Sequence, residues 1–250
     1  MKIILSPAKK LNEEIFDYSG ECSEPKFLEQ SQKLINIAKK LSRNDISSLM
    51  KISDNLSELN YIRFQSWKKE EIKKGKASVF MFEGEAYRGL DIHSFNSSEI
   101  ESLNNKLFIL SGLYGILKPL DKILPYRLEM GIKLKNPKGK NLYDYWKKEL
   151  TNYIDKQLNN EPLVNLASKE YSSVIDFKLL KSPVIQVDFL QEKEGVYKNI
   201  AVYSKRARGL MTAFIAKNDI EKVEDMKAFS SEKYYYNNEL SKENHLVFTR

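Results

Sequence analysis

The sequence predicts an α/β fold, and three observations carry that expectation. Short apolar runs such as Lys2-Ile3-Ile4-Leu5 and Leu107-Phe108-Ile109-Leu110 stop abruptly at turn-forming residues, as buried strands do. Longer stretches between them place apolar residues near every third or fourth position, the spacing of amphipathic helices. The two kinds of segment alternate along 250 residues that are 42% hydrophobic, enough to bury one sizeable core. No repeat, linker or low-complexity tract divides them, so residues 1–250 are expected to form a single domain.

Lys2 to Leu5 reads as a buried strand ended by Ser6-Pro7, and a polar stretch follows to Pro25. Phe27 to Leu41 is expected to be helical, with Leu34, Ala38 and Leu41 on one face. Ser42-Arg43-Asn44-Asp45 has capping-box spacing for a short helix, and Ser53-Asp54 starts another that runs to Trp67. Val79 to Phe82 reads as a buried strand entering a turn at Gly84. A helix from Ser98 and a strand over Leu107–Leu110 follow, then a tight turn at Ser111-Gly112-Leu113-Tyr114-Gly115. Pro119, Pro125, Pro137 and Gly139 mark a long irregular region before a helix over Leu142–Leu158. Strands are expected over Leu163–Leu166 and Val184–Val187, with a hairpin at Gly195 leading into a strand from Val196 to Tyr203. Arg208 to Lys217 is helical with Asn218 as its cap, and strands at Tyr234–Tyr236 and Leu246–Phe248 close the chain.

Composition narrows the function classes. No run approaches the ~18–20 apolar residues of a membrane span, and MKIILSPAKK is too short a run for a signal-peptide core. Cys22 is the only cysteine, which suits a reducing compartment, and a cytoplasmic location is expected. The acids around it, Glu21 and Glu24, would raise its thiol pKa. His93 and His245 are the only histidines and have no partner at ligand spacing, so no transition metal and no cofactor are expected. The formal net charge of +7 favours polyanions, and the window from Lys118 to Lys148 alone carries nine positive and three negative residues. There are only seven arginines in this lysine-rich chain, which points to places where a planar, forked guanidinium matters.

Four polar islands interrupt the apolar pattern after expected strands, where α/β proteins place binding groups. They are Ser6–Lys10, Leu110–Asp121 continuing through Pro125–Gly131, Asn165–Tyr171, and Ser204–Met211. Lys205, Arg206 and Arg208 fall where a strand is expected to pass into a helix, and free N–H groups at such a start would add to their pull on phosphate. Alternation sets Arg127 and Glu129 on one side of the chain and Leu128 and Met130 on the other. That pair suits either a structural ion pair or a polar pocket. Asn165, Ser168, Glu170 and Tyr171 suit either the reading of a nucleobase or a buried polar network. The Ser111–Gly115 turn lacks the Gly-Lys-Ser/Thr ending of a phosphate loop.

These landmarks resemble the YaaA family of bacterial peroxide-stress proteins over nearly the whole chain. They are Ile4-Leu5-Ser6-Pro7-Ala8-Lys9, Ile52-Ser53-Asp54 with Asn60, Arg63 and Trp67, and Phe82 to Leu90. To these add the run from Leu110 to Gly131, VNLASKEY from Val164 and KRARGLM from Lys205. The resemblance implies a compact fold with a curved mixed β-sheet wrapped by helices, a positively charged cleft, DNA binding and a role in limiting DNA damage and free iron. The sequence departs from the family at Lys233, where glycine is usual.

Two functions are weighed. In the first, the chain binds DNA with weak sequence preference, through phosphate contacts from Lys9, Lys118, Arg127, Asn165, Ser168, Lys205, Arg206 and Arg208, with aromatic rings for stacking. In the second it is an enzyme acting on a nucleobase or nucleotide-like small molecule. Glu129 or Glu170 would then be acid or base, and Arg127, Lys205 and Arg208 would clamp phosphate. The short helices from Phe27 to Trp67 suit either a helix-hairpin-helix, although the turn Met50–Asp54 lacks its glycines, or plain helical packing.

Overall fold

The computed structural model describes residues 1–14 and 18–250. Its centre is an eight-stranded mixed sheet. The strands are β1 (Lys2–Leu5), β2 (Leu107–Ser111), β3 (Gly115–Leu117), β4 (Leu163–Asn165), β5 (Val184–Lys193), β6 (Val196–Lys198), β7 (Tyr235–Tyr236) and β8 (His245–Thr249). Along the sheet they run β7-β8-β5-β4-β1-β2-β3, with β6 paired to β5. The inner five, β8-β5-β4-β1-β2, are parallel, and β3 and β7 are antiparallel at the edges.

The order of the parallel strands locates the binding region. The first in the chain, β1, lies between the second, β2, and the third, β4. The connections that leave the adjacent strands β1 and β4 therefore run in opposite directions, toward β2 and toward β5, and a crevice opens outside their carboxyl ends. Both strands are buried throughout their central residues, which is why they read as continuous apolar runs.

The helices are α1 (Leu28–Ala38), α2 (Arg43–Met50), α3 (Asp54–Ser66), α4 (Glu85–Leu90), α5 (Ser97–Lys106), α6 (Leu142–Leu158) and α7 (Ala201–Lys217). The capping box at Ser42 forms: its hydroxyl accepts from Asp45 N at 3.1 Å and the Asp45 carboxylate accepts from Ser42 N at 2.9 Å. Asn96, rather than Ser98, caps α5, with Glu99 closing the box. No helix among the described residues is long and apolar enough to cross a membrane.

Two expectations fail on period. Val79–Phe82 is not a strand: Ser78–Met81 is one helical turn, and only Phe82–Glu83 is extended. Every residue from Ser78 to Met81 is buried, so its apolar run carries no period to separate strand from helix. Likewise, the strand after Gly195 ends at Lys198, and Ala201 already begins α7. Tertiary packing overrides the β-branched residues there. Gly209 of α7 and Gly89 of α4 bring the two backbones together: a Cβ on Gly209 would stand 1.7 Å from Ala86 O, and one on Gly89 2.2 Å from Arg206 O. Lys233 adopts φ 64°, a left-handed conformation that glycine takes freely, which accounts for the family's preference there.

Candidate functional site

The end of β1 is tied to the segment after β4. Ser6 Oγ accepts from Ser168 N at 2.9 Å and lies 3.2 Å from Ser168 Oγ. Tyr87 of α4 donates its hydroxyl to Ser6 O at 3.1 Å. Between these elements lies a cleft of about 350 Å³, a volume within the range of small-ligand sites. Ser6 to Lys10 line one side, Glu83 to Tyr87 another, and Ser168, Glu170 and Tyr171 a third. Lys205 and Arg208 reach in from α7, which the glycine contact holds against α4.

Lys9, Ser168, Glu170, Lys205 and Arg208 thus share one cleft. Arg127 and Glu129 lie beside it. Glu129 Oε1 takes Arg127 Nε at 3.1 Å, Arg127 Nη2 at 3.0 Å and Lys9 Nζ at 3.4 Å, so the structural ion pair forms. Glu129 Oε2 is buried and has no hydrogen-bond partner. Glu170 Oε1 accepts from Gly131 N at 3.2 Å, joining the Arg127 segment to the cleft wall.

The remaining residues lie apart. Lys118 donates its backbone N–H to Asp121 Oδ2 at 2.8 Å and faces a separate depression with Ser23 and Tyr153. Arg206 turns to Glu232, 2.5 Å away. Asn165 opens onto a neighbouring cleft, whose wall also includes Arg208.

The fourth island requires a correction. Lys205, Arg206 and Arg208 stand inside α7, beyond its first turn, so the free N–H groups of a helix start do not join them. The attraction for an anion comes from side chains alone, and Arg208 is the notable one. Among the described residues it has no ion pair, its Nε is buried without a partner, and burial lowers its pKa against the pull of Asp188. A guanidinium drawn out of water with no ion pair, and only the more distant Asp188 charge to offset it, is costly to keep charged.

Burial likewise raises the hydroxyl pKa values of Tyr87 and Tyr171, so the cleft presents neutral phenols. The Cys22 thiol is raised chiefly by its own burial, with Asp121 adding; the sequence neighbours Glu21 and Glu24 are not the cause. His245 pairs with Asp188 at 2.8 Å, a long-range contact invisible to local spacing. Sequence reasoning also missed Tyr87, Gln186 and Asp188 as lining residues. The strict alternation in Val184-Ile-Gln-Val-Asp-Phe, with polar groups two apart, is the signal that marks the last two.

A family model described as peroxide stress protein YaaA matches residues 1–240. A UPF0246 protein of Flavobacterium johnsoniae is 44% identical over 252 residues, covering 100% of both chains. One from Flavobacterium psychrophilum is 45% identical with the same coverage. Another, from Legionella pneumophila strain Lens, is 43% identical over 255 residues, covering 100% of this chain and 99% of that one.

Proposed function

The chain belongs to the YaaA peroxide stress family, and on that premise we propose that it acts by binding DNA at the crevice between β1 and β4. Arg208, unpaired and drawn out of water beside the cleft, is the observation that carries this reading. Lys205, three positions before it on α7, lines the same cleft and adds a second cation, and Tyr87 and Tyr171 offer aromatic surface to an unstacked base. Lys9 and Lys10 stand exposed at the mouth but are paired with Glu129 and Glu83, so the cations that this reading relies on are Lys205 and Arg208. The α2–α3 hairpin is a second contact in this reading. Lys51 sits at its turn with φ 52°, although Arg43 and Arg63 are already paired to Glu58 and Glu13. DNA held in this way is shielded from oxidative damage, and lower free iron accompanies that role in the family resemblance.

The test is the salt dependence of DNA binding, measured by fluorescence anisotropy. Phosphate contacts release counterions, so each one contributes a log–log slope of about −0.9 on duplex and about −0.7 on single strands. Arg208→Gln should weaken binding to all sequences alike and shrink the slope by roughly one such contact. Unchanged affinity and slope would remove this cleft from the DNA site.

A second reading, an enzyme acting on a nucleobase or nucleotide, draws on the buried and unpartnered Glu129 Oε2. Glu129 or Glu170 would serve as acid or base, with Arg127 beside them. Chromatography of nucleotides and oligonucleotides incubated with the protein tests it. Product formed by the wild type and lost in Glu129→Gln would establish the enzyme.

A further inference from the structure

Two clefts lie side by side at the carboxyl ends of the strands, and the segment after β4 forms the wall between them. Leu166 and Ser168 line the first cleft, while Asn165 and Ala167 line the second. Arg208 lines both, whereas Asp188 lines the second but not the first. The second cleft has a volume of about 430 Å³, within the range of small-ligand sites.

Two opposite charges therefore line one cleft without meeting. Arg208 makes no ion pair among the described residues, and its buried Nε has no partner. Asp188 meets His245 Nε2 through Oδ2 at 2.8 Å, and its Oδ1 has no hydrogen bond among the described residues. Asp188 is near enough for its charge to offset part of the desolvation of Arg208, yet no ion pair joins the two. Separate elements hold them apart. Asp188 stands on β5, tied to His245 of β8, and Arg208 stands on α7, which the Gly89–Gly209 contact sets against α4. In this cleft an anion drawn to Arg208 would be repelled by Asp188, and a cation drawn to Asp188 would be repelled by Arg208. A ligand that carries both charges meets neither penalty. Part of the remaining wall is apolar, formed by Ala167, Ile175, Phe177 and Val187. Lys169 also lines the cleft, but it is exposed, where water and salt screen its charge.

We infer that the second cleft binds a free α-amino acid with an apolar side chain, its carboxylate on the Arg208 guanidinium and its ammonium on Asp188 Oδ1. A carboxylate matches the fork of a guanidinium, and an ammonium donates to a carboxylate oxygen. The side chain then lies against Ile175 and Phe177, where it leaves water. An amino acid site here does not depend on the DNA reading, which rests on the first cleft.

Calorimetry on the full chain tests the site with L-leucine and L-phenylalanine. Each is compared with its amide, which lacks the carboxylate, and with its N-acetyl derivative, which lacks the ammonium. Each parent should bind about tenfold tighter than either derivative, because a derivative loses one charge-assisted contact. Asp188→Asn should weaken the parent and the amide by about tenfold and spare the N-acetyl form. Arg208→Gln should weaken the parent and the N-acetyl form and spare the amide. Unfolding of a variant could not produce these two opposite patterns. Derivatives that bind as well as their parents, or no binding of either amino acid at millimolar concentration, would overturn the site.

Discussion

Two basic stretches stand out in this chain, residues 118–148 and the α7 island around Arg208, and the fold uses them in opposite ways. In the first, cations are engaged in holding structure. Lys122 donates to Lys73 O at 3.0 Å, Arg127 binds Glu129, Lys138 binds Glu149 at 2.6 Å and Lys147 binds Asp176 at 3.1 Å. Lys133, Lys135, Lys140 and Lys148 stand in open solvent, where a charge is cheap to keep. In the second stretch Arg206 is paired, but Arg208 is withdrawn from water and makes no ion pair among the described residues. The window with the larger excess of charge is therefore the poorer candidate for binding. Net charge counts residues, whereas what sets Arg208 apart is that the fold withdraws it from water and gives it no ion pair.

The largest effect that tests this contrast is on stability. Arg127 and Glu129 are both nearly buried, and removing one partner strands the other. Arg127→Ala should cost about 3 kcal/mol in urea denaturation, and Arg127→Met combined with Glu129→Leu should recover most of that loss. A cost below about 0.5 kcal/mol would place the pair with ordinary surface bridges and erase the contrast.

The next concerns pH. Burial holds the Asp121 carboxyl up at about 6, even though Ser23 and the Lys118 N–H pull it down. Its folded value lies above the unfolded carboxylate value of 3.8. Between those two values the fold keeps a proton that the unfolded chain has lost. The stability from this group is therefore fullest at the acid end and falls as pH rises through about 6, by roughly 3 kcal/mol at most. Asp121→Asn should flatten this part of a pH–stability profile. A profile unchanged by the substitution would mean that the carboxylate is better solvated than its surroundings imply.

The smallest effect is expected at Lys138, which pairs with Glu149 and lies over the Tyr145 ring at 4.7 Å. Lys138→Ala should lower stability by about 1 kcal/mol. It should leave the salt slope of DNA binding unchanged, although it removes one positive charge. A slope that drops as it does for Arg208→Gln would bring the 118–148 stretch back into the DNA interface.

Much of the fold was legible because local chemistry decides it. The Ser42–Asp45 capping box, the helix over Leu142–Leu158 and the strand over Lys2–Leu5 follow from neighbours in the chain. The segments from Val79 and from Val196 were not, because a fully buried run carries no period, and because the Gly89–Gly209 contact that helps fix α7 against α4 joins residues far apart in sequence. The same division holds for the candidate site. Lys9, Ser168, Glu170, Lys205 and Arg208 could be picked out as polar groups that interrupt apolar runs, since a core cannot absorb them unpaired. Strand order then decided which of them share a cleft, because β1 lies between β2 and β4 and opens a crevice at that point. Pairing was decided there too: no spacing rule shows that Glu129 satisfies Arg127 or that Arg208 Nε is buried with no partner among the described residues. Compensation depends on distance through space and on exclusion of water, and both arise only when remote segments pack together.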